Sequence, residues 1–176
     1  MRILISNLLL IMLIFSCNKK NDRQASEKSQ KDAVLAYNFS TTDISGKNIE
    51  LSSFRGRVVL LNFWATWCPP CKAEIPDLNK LQTKYSNSLV IIGVSVDQEG
   101  VDVVKDFYNK LQIVYPVVMA TEEIIAGYGG ISAIPTSFVI NHKGQLVGKI
   151  VGYRNFSQYE EILLPYMEKA NDEGKN

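Results

Sequence analysis

Two apolar runs dictate the layering of this chain. Val58-Val59-Leu60-Leu61-Asn62-Phe63-Trp64 and Leu89 to Val96 leave almost no position for a solvated face. Strands of that kind belong to a sheet buried on both sides, so other elements must cover them. Helical spacing supplies the cover. Pro69 to Tyr85 sets Ile75, Leu78 and Leu81 on one face, and Val101 to Leu111 does the same with Val104, Phe107 and Leu111. Further along, Val117 to Met119 is expected to be a short strand, and Glu122 to Tyr128 a short helix before Gly129-Gly130. Thr136 to Ile140 and Leu146 to Val151 are expected to pair across the turn Asn141-His142-Lys143-Gly144. Phe156 to Ala170 then closes the fold as a helix with Tyr159, Ile162, Leu163 and Tyr166 inward. Upstream, a Gly46 turn between short alternating stretches suggests a hairpin or a pair of edge strands over Tyr37 to Phe54. Strands alternating with helices, then a hairpin and a helix, predict an α/β layered sandwich with a mixed sheet.

The rest of the chain is organised around that domain, expected over residues 33–172 with a tail at 173–176. A chain of 176 residues, 46% of them hydrophobic, suits one domain with a real core rather than two domains. A formal net charge of +1 without a basic stripe argues against nucleic acid as a partner. Met1 and Arg2 precede an apolar run from Ile3 to Phe15 broken only by Ser6 and Asn7. The run is shorter than the roughly 20 residues that cross a bilayer and fits the core of a secretory signal. Residues 1–17 resemble a bacterial lipoprotein signal, in which the cysteine after a small residue, here Cys17 after Ser16, is lipidated and becomes the mature N-terminus. The plainer alternative is an ordinary secretory signal, or an uncleaved anchor, with Cys17 incidental. Residues 18–32, NKKNDRQASEKSQKD, carry no aromatic or β-branched side chain and are expected to form a flexible tether reaching roughly 20 Å. The expected location is the cell envelope, lipid-anchored to a membrane and facing the periplasm or extracytoplasmic space.

The chemistry concentrates in Phe63 to Pro76, FWATWCPPCKAEIP, where a buried strand hands over to a helix. Open α/β sheets usually place their chemistry at such a junction. A thiolate at a helix N-terminus is stabilised by the dipole and by free backbone N–H groups, which makes Cys68 the expected nucleophile. Cys71, one turn further in, is positioned to resolve a mixed disulfide held on Cys68. Pro69 and Pro70 remove two backbone donors from the first turn, leaving the Cys71 and Lys72 N–H groups within reach of Cys68. A thiolate with few donors is only moderately stabilised, which favours a reducing couple. Trp64 is expected in the core, whereas Trp67 should border an exposed sulfur and form part of an apolar platform for substrate.

Rival uses of the pair fare worse. Structural zinc needs four ligands, and beyond the pair the chain offers Cys17, inside the signal, and its one histidine, His142, expected as a solvated turn residue. A purely structural disulfide across two residues closes too short a loop to restrain the unfolded chain much. No metal or organic cofactor is implied.

Trp64-Ala65-Thr66-Trp67-Cys68-Pro69-Pro70-Cys71-Lys72-Ala73-Glu74-Ile75-Pro76, with Ile134-Pro135-Thr136-Ser137-Phe138 some sixty residues later, resembles the thioredoxin superfamily. More narrowly it is similar to the membrane-tethered TlpA- and ResA-like thiol–disulfide oxidoreductases, over Ala33 to about Ala170. The resemblance implies a thioredoxin-like three-layer sandwich with an N-terminal β-hairpin extension, and a strand-helix insertion at Tyr115 to Gly130. It implies that Pro135 is cis, leaving the Ile134 backbone free to pair with an extended substrate. Trp67, Pro69, Pro70, Ile134 and Pro135 are then the expected substrate-binding residues. Pro76 matches a proline that kinks the first helix, and Asn62 stands where thioredoxin itself has a buried aspartate that assists proton transfer. An amide cannot do that work.

Glu74 is the candidate replacement. Three residues after Cys71, it shares that residue's helical face, and it matches the acidic residue that ResA-like proteins carry beside their pair. The alternative is an acid favoured by the helix dipole and open to water. The resemblance also implies protein disulfides as substrates, such as the haem-binding cysteines of an apocytochrome c, and a membrane thiol donor of the DsbD or CcdA type. Two other function classes are a thiol peroxidase, although the Pro-x-x-x-Thr-x-x-Cys arrangement of peroxiredoxins is absent, and a redox-silent binding protein on the same fold.

Overall fold

The computed structural model describes residues 34–173. The signal, the Cys17 lipidation site and the tether, expected within residues 1–32, and the tail beyond Glu173 lie outside the described residues.

Five strands form one mixed sheet: β3 (Val58–Trp64), β4 (Leu89–Ser95), β5 (Val117–Met119), β6 (Thr136–Ile140) and β7 (Leu146–Val151), in the order β5-β4-β3-β6-β7. The β3–β4 and β4–β5 pairs are parallel, and the β3–β6 and β6–β7 pairs are antiparallel. Period-two alternation sorts β3 between two cores, with Val58, Leu60 and Trp64 on one face and Val59, Leu61 and Phe63 on the other.

On the first face lie Ile75, Leu78 and Leu81 of α1 (Pro69–Lys84), Val104 of α2 (Val101–Lys110), and Tyr159, Leu163 and Met167 of α4 (Phe156–Glu173). Leu78 and Leu81 are wholly shielded from water, and burying each contributes about 2 kcal/mol. The second face is covered by Ile124 of α3 (Glu122–Gly127), by Tyr128, and by Phe39, Ile49 and Leu51 in and around a separate two-stranded sheet. That sheet pairs β1 (Ser40–Thr42) with β2 (Asn48–Glu50) antiparallel. The Ile44 N–H beside it donates to the Val117 carbonyl at 2.9 Å, which ties the hairpin to the otherwise open edge strand β5.

The expected sandwich, hairpin extension and strand-helix insertion are all present. The ends of α1, β4, α2 and α3 fall one residue earlier than expected, as fraying termini do, β3, β5, β6 and β7 keep their expected bounds, and α4 runs three residues further. Inside α4 the inward stripe is Tyr159, Leu163, Met167 and Ala170, the set that a 3.6-residue period stacks on one side. Ile162 and Tyr166 flank that stripe and are half-buried rather than central. His142 is also half-buried rather than solvated, in a turn whose carbonyl receives the Gly56 N–H at 2.8 Å.

Candidate active site

Cys68 is the N-cap of α1, with extended backbone angles of φ −91° and ψ 107°, and prolines occupy the first two helical positions. The Cys71 N–H donates to Cys68 Sγ at 3.3 Å, and the two sulfurs are joined in a disulfide of 2.02 Å. Lys72 departs from expectation. Its N–H donates to the Cys68 carbonyl at 3.1 Å, because the first i to i−4 bond of the helix claims it, so among the described residues Cys71 alone supplies a backbone donor to the sulfur. Cys68 is also less open than expected, at 3% exposed, since the capping turn tucks it into the first-face core beside the fully buried Cys71. Trp67, next in the chain, is 58% exposed, and Trp64 is core as expected.

Asp97 pins the loop that delivers Cys68. Its carboxylate accepts from the Thr66 N–H at 2.9 Å, the Thr66 hydroxyl at 2.5 Å and the Ser95 hydroxyl at 2.7 Å. The residue is buried just past β4, and these bonds compensate its loss of water.

Glu74 lies on α1 with no exposed surface, which overturns the reading of a water-facing acid. Helical geometry sets it on the Cys71 face, one turn along. Its Oε1 accepts from Asn62 Nδ2 at 2.8 Å and its Oε2 from the Tyr159 hydroxyl at 3.3 Å. Burial pushes its carboxyl up from 4.5 to about 7, opposed in order by the Asn62 amide, the Arg154 backbone N–H, the Tyr159 hydroxyl and the Arg154 charge. A carboxyl near 7 is matched to proton exchange at neutral pH. Burial, with the Glu74 charge as a second cause, holds the Tyr159 hydroxyl protonated well above its usual range.

The Ile134–Pro135 peptide is cis. Register Phe63↔Thr136 puts it at the sheet end where β3 leads into the Cys68 loop. The Pro135 carbonyl accepts from the Gly152 N–H at 2.8 Å, and on either side of that glycine the apolar Val151 and Tyr153 are exposed. Pro69 and Pro70 are exposed at the head of α1, while Ile134 is half-buried and packs against both cores.

Residues 33–149 match the AhpC/TSA family. The chain belongs to that family. Within this AhpC/TSA chain, 140 residues are 40% identical to "Thiol-disulfide oxidoreductase ResA" of Bacillus thuringiensis, covering 79% of the chain and 80% of the relative. A thioredoxin-family thiol:disulfide interchange protein from Chlorobium tepidum matches in structure with a TM-score of 0.72 at 37% identity, over 77% of this chain and 97% of that one. An exposed lipoprotein thioredoxin from Streptococcus pneumoniae matches with a TM-score of 0.66 at 25% identity, over 73% and 99%. Among the described residues, no helix is long and apolar enough to cross a membrane.

Sequence reasoning missed Ser137, Asp97 and Arg154 as polar partners, and treated Tyr159 as packing alone. One signal was present: Asn62, Ser95 and Ser137 interrupt runs that are otherwise buried and apolar, and a buried polar group must find a partner.

Proposed function

We propose that this thiol–disulfide oxidoreductase is exported and reduces protein disulfides in the cell envelope, with Cys68 as nucleophile, Cys71 as resolving thiol and Glu74 as proton acceptor. The observation that carries the reading is the cysteine pair at the head of α1 with a fully buried carboxylate three residues behind it. In the reduced protein the Cys68 thiolate attacks one sulfur of a substrate disulfide. A Cys68–substrate disulfide forms, and the other substrate sulfur leaves as a thiolate. Cys71 gives its proton to Glu74 and attacks Cys68 Sγ; the internal disulfide closes and the second substrate sulfur departs as a thiolate. Two electrons have passed to the substrate, and the pair is then in the oxidised form seen here.

The single backbone donor at Cys68 Sγ supports the reducing direction, since a weakly stabilised thiolate makes a weak oxidant. Exposed Trp67, Pro69 and Pro70 form the substrate surface with half-buried Ile134, backed by the buried cis Pro135. The substrate class is an oxidised cysteine pair in an extended polypeptide, such as the haem-binding pair of an apocytochrome c. The donor is a membrane thiol transporter of the DsbD or CcdA type. Lipidation at Cys17 and a tether over residues 18–32 hold the domain at the membrane, a reading supported by the lipoprotein character of the signal and by the exposed lipoprotein among the structural relatives.

Trapping with Cys71→Ser in cells tests the cycle. The variant is expected to stall a mixed disulfide on Cys68, and the captured protein names the substrate. Normal disulfide reduction by Cys71→Ser with nothing captured would sink the two-cysteine mechanism. Rapid peroxide consumption by the purified protein would move the reading to a thiol peroxidase. An unchanged set of binding partners in the Cys68→Ala, Cys71→Ala double variant would move it to a redox-silent binding protein.

A further inference from the structure

Glu74 belongs to a closed ring of four buried polar side chains drawn from four elements, α1, β3, β6 and α4. Asn62 Nδ2 on β3 donates to Glu74 Oε1 at 2.8 Å and to Ser137 Oγ on β6 at 2.9 Å. Ser137 Oγ lies 3.0 Å from the Tyr159 hydroxyl of α4, which donates to Glu74 Oε2 at 3.3 Å. Strand register makes the ring possible, because Asn62 and Ser137 are paired across β3 and β6 and their side chains share one face.

Hydrogen counting gives the ring a direction. Asn62 can only donate through its amide nitrogen, so Ser137 Oγ accepts from it. The one Tyr159 hydrogen goes to the carboxylate, so the Ser137 hydrogen fills the edge to Tyr159. Four edges then carry four hydrogens, two from the amide and one from each hydroxyl. A proton on Glu74 is a fifth hydrogen for the same four edges. Placed on Oε2 inside the ring, it would turn the Tyr159 hydrogen onto Ser137 and leave the Ser137 hydrogen without its partner in a site closed to water, which is costly. With the carboxylate ionised, every hydrogen in the ring has an acceptor, two of them on the carboxylate itself.

We propose that Asn62, Ser137 and Tyr159 are positioning residues that hold Glu74 as a proton-accepting carboxylate and direct an accepted proton to the lone pairs outside the ring. The proposal rests on Glu74 being the acceptor for Cys71. It deepens that reading by assigning the opposing pressures: burial favours the neutral acid, the ring favours the anion, and their balance keeps Glu74 able both to take a proton and to release it. The other charged and titratable groups near Glu74 are Arg154 after β7, which favours the anion, Tyr115 before β5, and Cys71 on its own helix. Tyr115 and Tyr159 stay protonated, so they bring no competing charge.

Two readouts on the full-length protein test the ring. The Glu74 carboxyl is titrated by carbon-13 NMR in the oxidised state. The resolving step is followed as release of thionitrobenzoate from a mixed disulfide preformed on Cys68, across pH 5–9. Tyr159→Phe removes one hydrogen bond to the anion and is expected to move both midpoints upward by about one pH unit. At pH 7 the ionised fraction then falls from about half to about a tenth, so release slows about fivefold and recovers by pH 9. Ser137→Ala, the milder variant should Tyr159→Phe fold poorly, is expected to shift both in the same direction by less. In a Glu74→Gln background, Tyr159→Phe should leave the pH profile of release unchanged. A Glu74 titration that stays in place in both variants overturns the ring proposal. A titration that moves while the release profile does not upholds the ring and overturns the acceptor role of Glu74.

Discussion

Replacing Glu74 with glutamine should make the oxidised protein more stable, and only above acidic pH. The folded state raises this carboxyl from 4.5 to about 7, a difference of 7 − 4.5 = 2.5 units. At about 1.4 kcal/mol per unit, an ionised Glu74 costs the fold roughly 3 kcal/mol. The sign follows from which state holds the proton. Between the two values the folded protein keeps a proton that the unfolded chain has released, so stability is greatest below pH 4.5. It falls as pH rises through 4.5 to 7, and the loss is complete above 7. Glutamine does not titrate, and its carbonyl can still accept from Asn62. Its amide nitrogen cannot accept from the Tyr159 hydroxyl, a loss of about 1 kcal/mol that is the same at every pH; relative to that deficit near pH 4 the variant should gain roughly 3 kcal/mol by pH 8, or about 10 °C in Tm for a domain of this size. Urea unfolding of both oxidised proteins from pH 4 to 8.5 reads the difference directly. Every other titrating group is shared and cancels, and disulfide-bonded cysteines do not titrate. Parallel stability curves for the two proteins would show that Glu74 keeps an ordinary carboxyl and would remove the physical basis for its role.

Other perturbations address the surrounding structure. Asp97→Ala leaves the Thr66 N–H, the Thr66 hydroxyl and the Ser95 hydroxyl without their acceptor, and should lower stability by about 2 kcal/mol and slow thiol exchange, measured by urea unfolding and insulin reduction. Gly93→Ala would bring a Cβ to 2.9 Å from the Trp64 indole nitrogen and 3.1 Å from Val117 Cγ2, and should cost about 1–3 kcal/mol through overpacking, read in the same unfolding assay. Trp67→Ala removes an exposed ring, so stability should change by less than about 0.5 kcal/mol while KM for a disulfide-containing peptide rises; an unchanged KM would detach Trp67 from the substrate surface.

Most of the element order was legible because it is local. Val58 to Trp64 reads as a doubly buried strand from seven adjacent residues, and Ile75, Leu78 and Leu81 read as a helix face from their spacing. The cysteine pair was legible as chemistry for the same reason, since a strand end, two prolines and a helix start all lie within a few residues of it. The polar site was only half legible. Asn62 was noticed as an amide where an acid was expected, yet its partner Ser137 is 75 residues away and the Tyr159 hydroxyl reaches Glu74 across 85. Nothing in the local pattern says which of two buried strands will be neighbours, or which turn of the last helix will face the first.

By itself, then, the sequence determined the alternation of strands and helices, the two sulfurs and their unequal places at a helix N-terminus, because these depend on chain neighbours and helical or strand period. Tertiary structure alone decided that Glu74 is sealed from water, that Asn62 and Ser137 stand side by side, and that Asp97 grips the loop before Cys68. Those outcomes follow from sheet register and from the seating of α4 on α1, which are long-range choices. Desolvation and hydrogen bonding then turn an ordinary glutamate into one whose proton is exchangeable near neutral pH.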